Sequence, residues 1–143
     1  MLTLFLVALA SATLLPGGSE VWLARLWCSG EPALLLWAVA SAGNTLGSLV
    51  NVGLGRYARH FQDHRWFPVS RQGLERAERW YLRFGEWSLL ACWAPVVGDP
   101  LTVLAGVLRL PWWRAILLIT LAKAARYALV LWLAEAWLVT LCR

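Results

Sequence analysis

The sequence predicts an all-α membrane protein of two inverted repeats, each a re-entrant helical hairpin followed by a transmembrane helix, with a cytoplasmic amphipathic helix between them. Three observations predict this class. Of the 143 residues, 60% are hydrophobic and 15% are charged, which lies outside the range of ordinary soluble domains. Basic residues concentrate between the apolar stretches, and prolines interrupt two of those stretches. Because no linker of different composition divides the chain, we expect a single membrane domain over 1–143.

Two apolar stretches are long enough to cross a bilayer, for which about 20 residues suffice. The first runs without a charged residue from Pro32 to Val52 and on to Gly55. The second runs from Pro111 to about Leu141. It contains the charged residues Arg114, Lys123, Arg126 and Glu135. Both stretches are predicted transmembrane helices, and the charges of the second require partners.

Two further apolar stretches, Met1–Cys28 and Trp87–Leu108, are each interrupted by a proline that a glycine and an acid follow. The interruptions are Pro16 to Glu20 and Pro95 to Asp99. Each half is too short to span, and non-helical backbone at membrane depth needs protein or water around it. The pattern therefore predicts two re-entrant hairpins. A signal peptide is the alternative for the first stretch, but residues 1–13 lack a positively charged start.

A connector of about residues 57–83 separates repeat one (about 1–56) from repeat two (about 84–143). Proline and the N-cap candidate Ser70 open a helix in it, and its apolar residues recur at helical spacing: Leu74, Ala77, Tyr81 and Phe84. This pattern predicts an amphipathic helix on the membrane surface. Arginines between aromatic residues also suggest nucleic acid, but the position beside membrane spans disfavours it.

Sequence comparison of the two halves supports the repeat. A shift of about 79 residues superposes proline on proline at both the hairpins and the spans, and an acid on an acid. The superposed pairs are Pro16 with Pro95, Glu20 with Asp99, Pro32 with Pro111, and Asn44 with Lys123. One hairpin and one span make an odd number of crossings, so the second half is inverted. The positive-inside rule then predicts periplasmic termini and a cytoplasmic connector. Four full spans would instead place Arg109 and Arg114 outside.

Four charges at membrane depth are the strongest candidates for a site, because each costs ~2.5 to 3.5 kcal/mol at mid-bilayer. Glu20, Asp99, Lys123 and Arg126 are expected to converge on one cavity between the repeats. They form either an ion-pair network that sets the fold or a site in which the two bases hold an anion and an acid carries a proton. The candidate residues for binding substrate or protons are Glu20, Asp99, Lys123, Arg126, Asn44, Asn51 and Arg56.

Other polar or reactive residues have plainer interpretations. A stripe of Gly43, Gly47, Asn51 and Gly55, with Asn44 and Ser48 alongside, predicts a surface for close helix packing. The cysteines Cys28, Cys92 and Cys142 are predicted to be free, buried thiols. His60 and His64 lack further ligands, so we expect interfacial side chains rather than a metal site. No cofactor motif or catalytic constellation is present in the sequence, and we expect no enzyme.

Short motifs in a fixed order carry a family resemblance over nearly the whole chain. They are Leu15–Glu20, Gly43–Gly47, Gly55–Tyr57, Phe84–Gly85, Trp93–Asp99, Ala105–Gly106 and Ala122–Tyr127. With these motifs the sequence resembles the DedA superfamily, also called the SNARE-associated or VTT-domain family, and most closely its short YqaA branch. The resemblance implies a bacterial inner-membrane protein with paired re-entrant hairpins. It also implies a role in lipid transport or scrambling, including recycling of a polyprenyl-phosphate carrier.

The chain departs from the family pattern in both hairpins. Typical members carry arginines where this chain has Cys92 and Gly98, and the first hairpin lacks an acid upstream of Pro16. Either Lys123 and Arg126 replace those arginines as phosphate partners or the substrate differs. The expected partners are membrane lipids, polyprenyl-phosphate or anionic phospholipid, together with protons. The sequence leaves oligomeric state open, a homo-oligomer included.

Three functions are compatible with the sequence. The first is a transporter or scramblase of anionic lipids, driven by protons. The second is a small-ion or proton antiporter that uses the same acids. The third is a non-transporting membrane scaffold or assembly factor whose cytoplasmic helix docks a partner.

Overall fold

The computed structural model describes residues 1–12, 18–57, 71–93 and 98–138, and within these ranges all regular structure is helical. In chain order the helices are α1 (Leu2–Ser11), α2 (Gly18–Cys28), α3 (Ala33–Tyr57), α4 (Arg71–Phe84), a 3₁₀ helix (Gly85–Trp93), α5 (Gly98–Val107) and α6 (Trp112–Leu138). Several residues that the sequence analysis singled out lie outside the described residues. They are the two prolines Pro16 and Pro95, the histidines His60 and His64, and Cys142.

The two longest helices, α3 and α6, have the length and apolar character needed to cross a membrane. They contain 25 and 27 residues, or about 37 and 40 Å at a rise of ~1.5 Å per residue, against a hydrocarbon core of ~30 Å. Both expose large apolar side chains, among them Leu34, Leu46, Val50, Leu117, Leu121, Leu129 and Trp132. These are the places at which the sequence predicts membrane-spanning helices.

The turns that precede α3 and α6 have the same backbone geometry. Residues Gly30 and Arg109 have φ of 86° and 54°, a left-handed conformation that ends a helix. Each turn has two equivalent hydrogen bonds: Gly30 N–H to Trp27 (3.0 Å) and Glu31 N–H to Leu26 (3.3 Å), and Arg109 N–H to Gly106 (3.0 Å) and Leu110 N–H to Ala105 (3.0 Å). Pro32 and Pro111 follow and open the long helices, a first-turn position that suits proline.

Helix α3 lies at the centre and contacts α1 through glycines on its first half. A Cβ atom at Gly43 would lie 2.6 Å from the Phe5 carbonyl oxygen, and one at Gly47 would lie 2.5 Å from that of Leu9. Real Cβ atoms essentially never come within 3.0 Å of such an atom. Only glycine therefore permits this backbone approach, and the predicted packing function of the stripe is confirmed here.

The second half of α3 contacts α5 in a similarly close crossing. A Cβ atom at Gly55 would overlap the carbonyl oxygen of Val103, and one at Gly106 would overlap that of Val52. The two contacts are reciprocal, because each helix places a glycine against a carbonyl of the other. Small residues at such crossings allow dispersion contacts between backbones, which stabilise helix pairs in membranes.

Two apolar clusters form at opposite parts of α3 and α6. One joins the early part of α6 to α5, the 3₁₀ helix and α4, with Val52, Leu89, Leu101, Leu104, Leu118 and Ile119 among its members. The other joins α1 and α2 to the start of α3 and the later part of α6 through Leu4, Leu23, Leu36, Ala40, Tyr127 and Leu131. The shorter helices on either side of α3 therefore pack on both long helices.

Helix α4 begins at Arg71, one residue after the predicted cap Ser70, which lies outside the described residues. Its Ala77 is fully buried in the first cluster, and Tyr81 packs against that cluster. The predicted apolar face of α4 is therefore confirmed at these two positions, and it rests on the helical bundle. The side chain of Leu74, a third residue of that face, lies outside the described part of the structure.

The prediction of free, buried cysteines is correct for Cys92, which is buried and free, and wrong for Cys28. Cys28 is disulfide-bonded and lies at the exposed end of α2. The error arose because the spacing of cysteines in a sequence does not reveal which ones meet in space.

Candidate functional site

An ion pair joins the first turn of α2 to the middle of α6. The Arg126 guanidinium donates from Nε to Oε1 of Glu20 at 3.0 Å, and a second, shorter bond from the Nη2 atom reaches the same oxygen. The side chains are 16% and 34% exposed, respectively. Charge-assisted bonds of this kind are stronger than neutral ones. The pair connects residues 106 positions apart, so it fastens α2 to α6.

A second base and a second acid lie beside this pair. Lys123 precedes Arg126 by one helical turn and is 2% exposed. It interacts electrostatically with Asp99 and with Arg126, and Asp99 interacts in turn with both bases. The structure thus pairs Glu20 with Arg126 and places Asp99 and Lys123 within electrostatic range of Arg126 and of each other. We name Glu20, Asp99, Lys123 and Arg126 the charge cluster.

The charge cluster is balanced, because its two acids and two bases have opposite formal charges. Glu20 and Asp99 both lie in the first turn of a helix, where the positive end of the helix dipole stabilises a carboxylate. Removing one member would leave an uncompensated charge in a partly dry interior, which costs more than the pair contributes. An entering anion would have to displace an acid or meet it in protonated form.

A tyrosine that sequence reasoning did not assign to the site connects the cluster to α3. Tyr127 is fully buried; its hydroxyl lies 2.8 Å from the Ser19 hydroxyl and accepts a 3.0 Å bond from Asn44 Nδ2. Tyr127 follows Arg126 in the sequence, and its partner Ser19 precedes Glu20, so the network lies beside the ion pair. The signal for it was its place directly after Arg126 in the Ala122–Tyr127 motif.

The other predicted site residues lie elsewhere. Asn51 donates from Nδ2 to the Ala12 carbonyl oxygen at 2.8 Å, where α1 ends. Arg56 donates to the Leu110 carbonyl oxygen, and its guanidinium lies 4.8 Å from the centre of the Trp112 ring. Asn51 therefore bonds the end of α1, and Arg56 fastens α3 to the start of α6. Neither belongs to the charge cluster in this structure.

Helix α3 has a polar face whose capacity for hydrogen bonding is only partly used. The oxygens Asn44 Oδ1, Ser48 Oγ and Asn51 Oδ1 are buried and have no partner within the described structure. The hydroxyls of Ser41 and Thr45 are also buried without a hydrogen-bond partner in the described structure. Buried polar groups without partners are unfavourable and call for water or for a different arrangement in another state. The polar face lies inside the bundle, between α1, α5 and α6.

An apolar groove opens beside the ion pair on the outer surface of α6. It has a volume of about 380 Å³ and is lined by Leu90, Leu121, Ala122, Ala125, Arg126 and Leu129. Arg126 is the charged residue among these lining residues. Leu121 and Leu129 are more than half exposed, so this wall of the groove faces the surroundings of the bundle. We name it the Arg126 groove.

Cys92 is buried between α5 and α6, where it packs in the same apolar cluster as Leu101 and Ala122, the residue before Lys123. The Cys92 carbonyl oxygen contacts the Cα of Gly98 so closely that a Cβ there would overlap it. These are the two positions at which the family resemblance leads one to expect arginine. The space for a third base beside the cluster is therefore occupied by a thiol and by backbone.

These features define the chain as a multi-pass integral membrane protein: two long helices with exposed apolar surfaces, shorter helices packed on them, and a polar interior that holds paired charges. Comparison with known proteins agrees. The chain is 42% identical over 132 residues to inner membrane protein YqaA of Escherichia coli (strain K12), covering 91% of this chain and 87% of that protein. The YqaA of Shigella flexneri matches to the same extent.

An uncharacterized protein of Haemophilus influenzae is 36% identical over 146 residues, which cover 94% of this chain and 87% of that protein. The chain therefore belongs to the YqaA family of bacterial inner membrane proteins, a branch of the DedA family, and it lies in the inner membrane. No family model matches the chain, and no solved structure matches it.

Proposed function

We propose that this protein moves anionic lipids between the leaflets of the inner membrane, with Arg126 and Lys123 as the partners of the lipid phosphate. The proposal depends on one observation, which is that Arg126 belongs both to the buried ion pair and to the wall of the Arg126 groove. Its guanidinium bonds Glu20 in the interior and also lines the apolar groove on the outside of α6. An arginine at the wall of an apolar groove can bind a phosphate while the acyl chains stay in lipid.

In this proposal the movement of lipid is coupled to the exchange of a proton at an acidic side chain. In the structure the Glu20 carboxylate is paired with the Arg126 guanidinium, so an entering phosphate would compete with that carboxylate. When Glu20 takes up a proton from water, the carboxylate becomes neutral and the guanidinium can bind the phosphate instead. When the lipid leaves, the proton is released and the ion pair forms again. Asp99 can do the same for Lys123, with which it interacts electrostatically.

We further propose that the two halves form an inverted repeat, which is the scaffold for transport. Under the shift of 79 residues, the bounds of α3 correspond to residues 112–136 of α6, and those of α2 to about α5. The turns at Gly30 and Arg109 correspond residue for residue, including both hydrogen bonds. Inverted repeats with interrupted helices are a recurrent plan of transporters that alternate the access to a central site.

The membrane orientation proposed here has support from Cys28 as well as from the arginine distribution. Disulfides persist in the periplasm and are rare in the cytosol, so the bonded Cys28 favours a periplasmic position for the end of α2. Helix α3 starts there at Ala33, and its other end, Tyr57, is then cytoplasmic. This puts α4 with its arginines on the cytoplasmic side, as the positive-inside rule requires.

The test is a lipid-flipping assay on purified protein in liposomes that contain fluorescent phosphatidylglycerol, with fluorescent phosphatidylcholine and polyprenyl-phosphate as comparison lipids. We expect the wild-type protein to move the anionic lipids. The variants Glu20→Gln and Asp99→Asn keep the shape of the side chain and remove its titration, so both should abolish movement. The matched control is Glu86→Gln, because Glu86 pairs with Arg114 at 3.0 Å outside the charge cluster.

Each contrary outcome has a definite meaning. Proton flux without lipid movement would replace the proposal with the antiporter. If Glu20→Gln unfolds the protein and the double variant Glu20→Gln/Arg126→Gln restores its stability, the charge cluster is structural. Absence of both activities in a folded wild-type protein would favour the scaffold function.

A further inference from the structure

Three cavities on the surface follow one another because they share wall residues. The first, of about 570 Å³, is lined by Arg76, Arg79, Trp80, Arg83 and Phe84. The second, of about 350 Å³, is lined by Trp80, Phe84, Trp87, Ser88, Leu90 and Ala91. The third is the Arg126 groove, which Leu90 also lines. We name the first the arginine cavity and the second the aromatic cavity.

The arginine cavity has the chemistry of a site for an anion that carries an apolar group. Arg76, Arg79 and Arg83 are spaced three and four residues apart, so they occupy one face of α4, and all three are exposed. The guanidinium group suits a phosphate because it donates two parallel hydrogen bonds. Glu75 and Glu78 lie on the same helix, but no carboxylate is among the described lining residues.

The apolar wall of this cavity points to a lipid rather than a free ion. The rings of Trp80 and Phe84 contact each other with centroids 5.5 Å apart, and both residues are about half exposed. Tryptophan prefers the boundary between headgroups and acyl chains, and the Phe84 ring adds apolar surface beside it. The same two rings form the start of the aromatic cavity, which continues to Leu90 and the Arg126 groove.

We propose that the arginine cavity binds the phosphate of an anionic phospholipid of the cytoplasmic leaflet, and that the aromatic cavity guides this lipid to the Arg126 groove. The headgroup site stands on charge complementarity and on the apolar wall beside it. The route onward from it rests on the proposed transport function. In this arrangement α4 selects the lipid by charge before the lipid reaches the charge cluster.

The headgroup site is tested by the affinity for fluorescent phosphatidylglycerol in micelles of a neutral detergent, with fluorescent phosphatidylcholine as the reference lipid. An arginine near the surface contributes about fivefold to the binding of anionic lipid, so Arg76→Gln/Arg79→Gln/Arg83→Gln should weaken it on the order of a hundredfold. Arg71→Gln is the matched control, because Arg71 is exposed on the same helix outside the cavity. The triple lysine variant keeps the charge and should lose less.

Several results would overturn the headgroup site. They are an unchanged affinity in the triple glutamine variant, equal loss in Arg71→Gln, no preference of the wild type for phosphatidylglycerol, and displacement of the lipid by inorganic phosphate. A binding loss in the triple variant together with a wild-type protein that moves no lipid would keep the headgroup site and reject the transport proposal. The two failures are therefore distinguishable.

The route is tested at its junction, where Leu90 lines both the aromatic cavity and the Arg126 groove. Leu90→Trp narrows this junction, so lipid movement should slow at least fivefold while binding to the arginine cavity is unchanged. Leu117→Trp is the control, since Leu117 is exposed on α6 and lines none of the three cavities among the residues described. Equal rates in Leu90→Trp and Leu117→Trp would overturn the route.

Discussion

The crossing of α3 and α5 allows a sharp test, because α3 has two glycines two residues apart in different surroundings. A methyl group at Gly55 would overlap the Val103 carbonyl oxygen, whereas one at Gly53 would meet its nearest neighbour, the Trp112 ring, at 3.8 Å. The backbone of α5 cannot move aside as a flexible side chain can. Gly55→Ala must therefore force the two helices apart, while Gly53→Ala fits without change.

The expected magnitudes follow from two opposing effects. Forced overpacking costs ~1 to 3 kcal/mol, and alanine in place of glycine within a helix returns ~0.5 to 1 kcal/mol. Gly55→Ala should therefore destabilise the protein by about 1 kcal/mol net, and Gly53→Ala should stabilise it by somewhat less than ~1 kcal/mol. For a chain of this size the first corresponds to a melting temperature lower by roughly 2 to 4 °C.

Thermal unfolding in detergent, followed by the fluorescence of the eleven tryptophans, measures both variants. Gly55 and Gly106 lie at the same crossing of α3 and α5. The double variant Gly55→Ala/Gly106→Ala should therefore lose less stability than the sum of the losses of the two single variants. Helices that one methyl group has separated leave room for the other. A melting temperature of Gly55→Ala at or above that of Gly53→Ala would refute the close crossing.

Three further outcomes follow from the structure. A cysteine in place of Arg109 should react with a membrane-impermeant maleimide only from the cytoplasmic side, and labelling from the periplasm would restore four full spans. Tyr127→Phe should destabilise the protein by about 1 to 3 kcal/mol in chemical denaturation, because it leaves Ser19 and Asn44 without their shared partner; an unchanged midpoint would contradict that network. Cys28 should react with a maleimide only after reduction, and Cys28→Ser should lower the melting temperature by the equivalent of ~2 to 4 kcal/mol, whereas equal reactivity before and after reduction would exclude the disulfide.

Hydropathy and helix signals were enough to place the long helices. The charge-free stretch after Pro32 and the apolar stretch after Pro111 became α3 and α6, because proline opens a helix and a long apolar run can satisfy its backbone only as a helix in lipid. The connector helix began within one residue of its predicted start. These elements depend on local chemistry, which a single sequence contains in full.

Contacts between distant parts of the chain were harder to predict from the sequence. The spacing of charges led to the charge cluster, but it gave no partner to Arg114, which pairs with Glu86. The role of Tyr127 was missed because its partners come from two other helices. The bond at Cys28 was missed for the same reason. Tertiary pairing of this kind is fixed by the relative placement of whole helices, which periodicity does not encode.

The polar face of α3 has a consequence for the biogenesis of the protein. Asn44 finds its partner Tyr127 83 residues later in the chain, which at ~5 to 20 residues per second takes roughly 4 to 17 s of synthesis. For most of that interval α3 is complete and α1 already covers part of it, since Asn51 bonds Ala12, but Asn44 lacks its partner on α6. We therefore expect the insertion machinery to retain α3 until α6 arrives, and we expect a chain that ends after α4 to be degraded faster than the full chain.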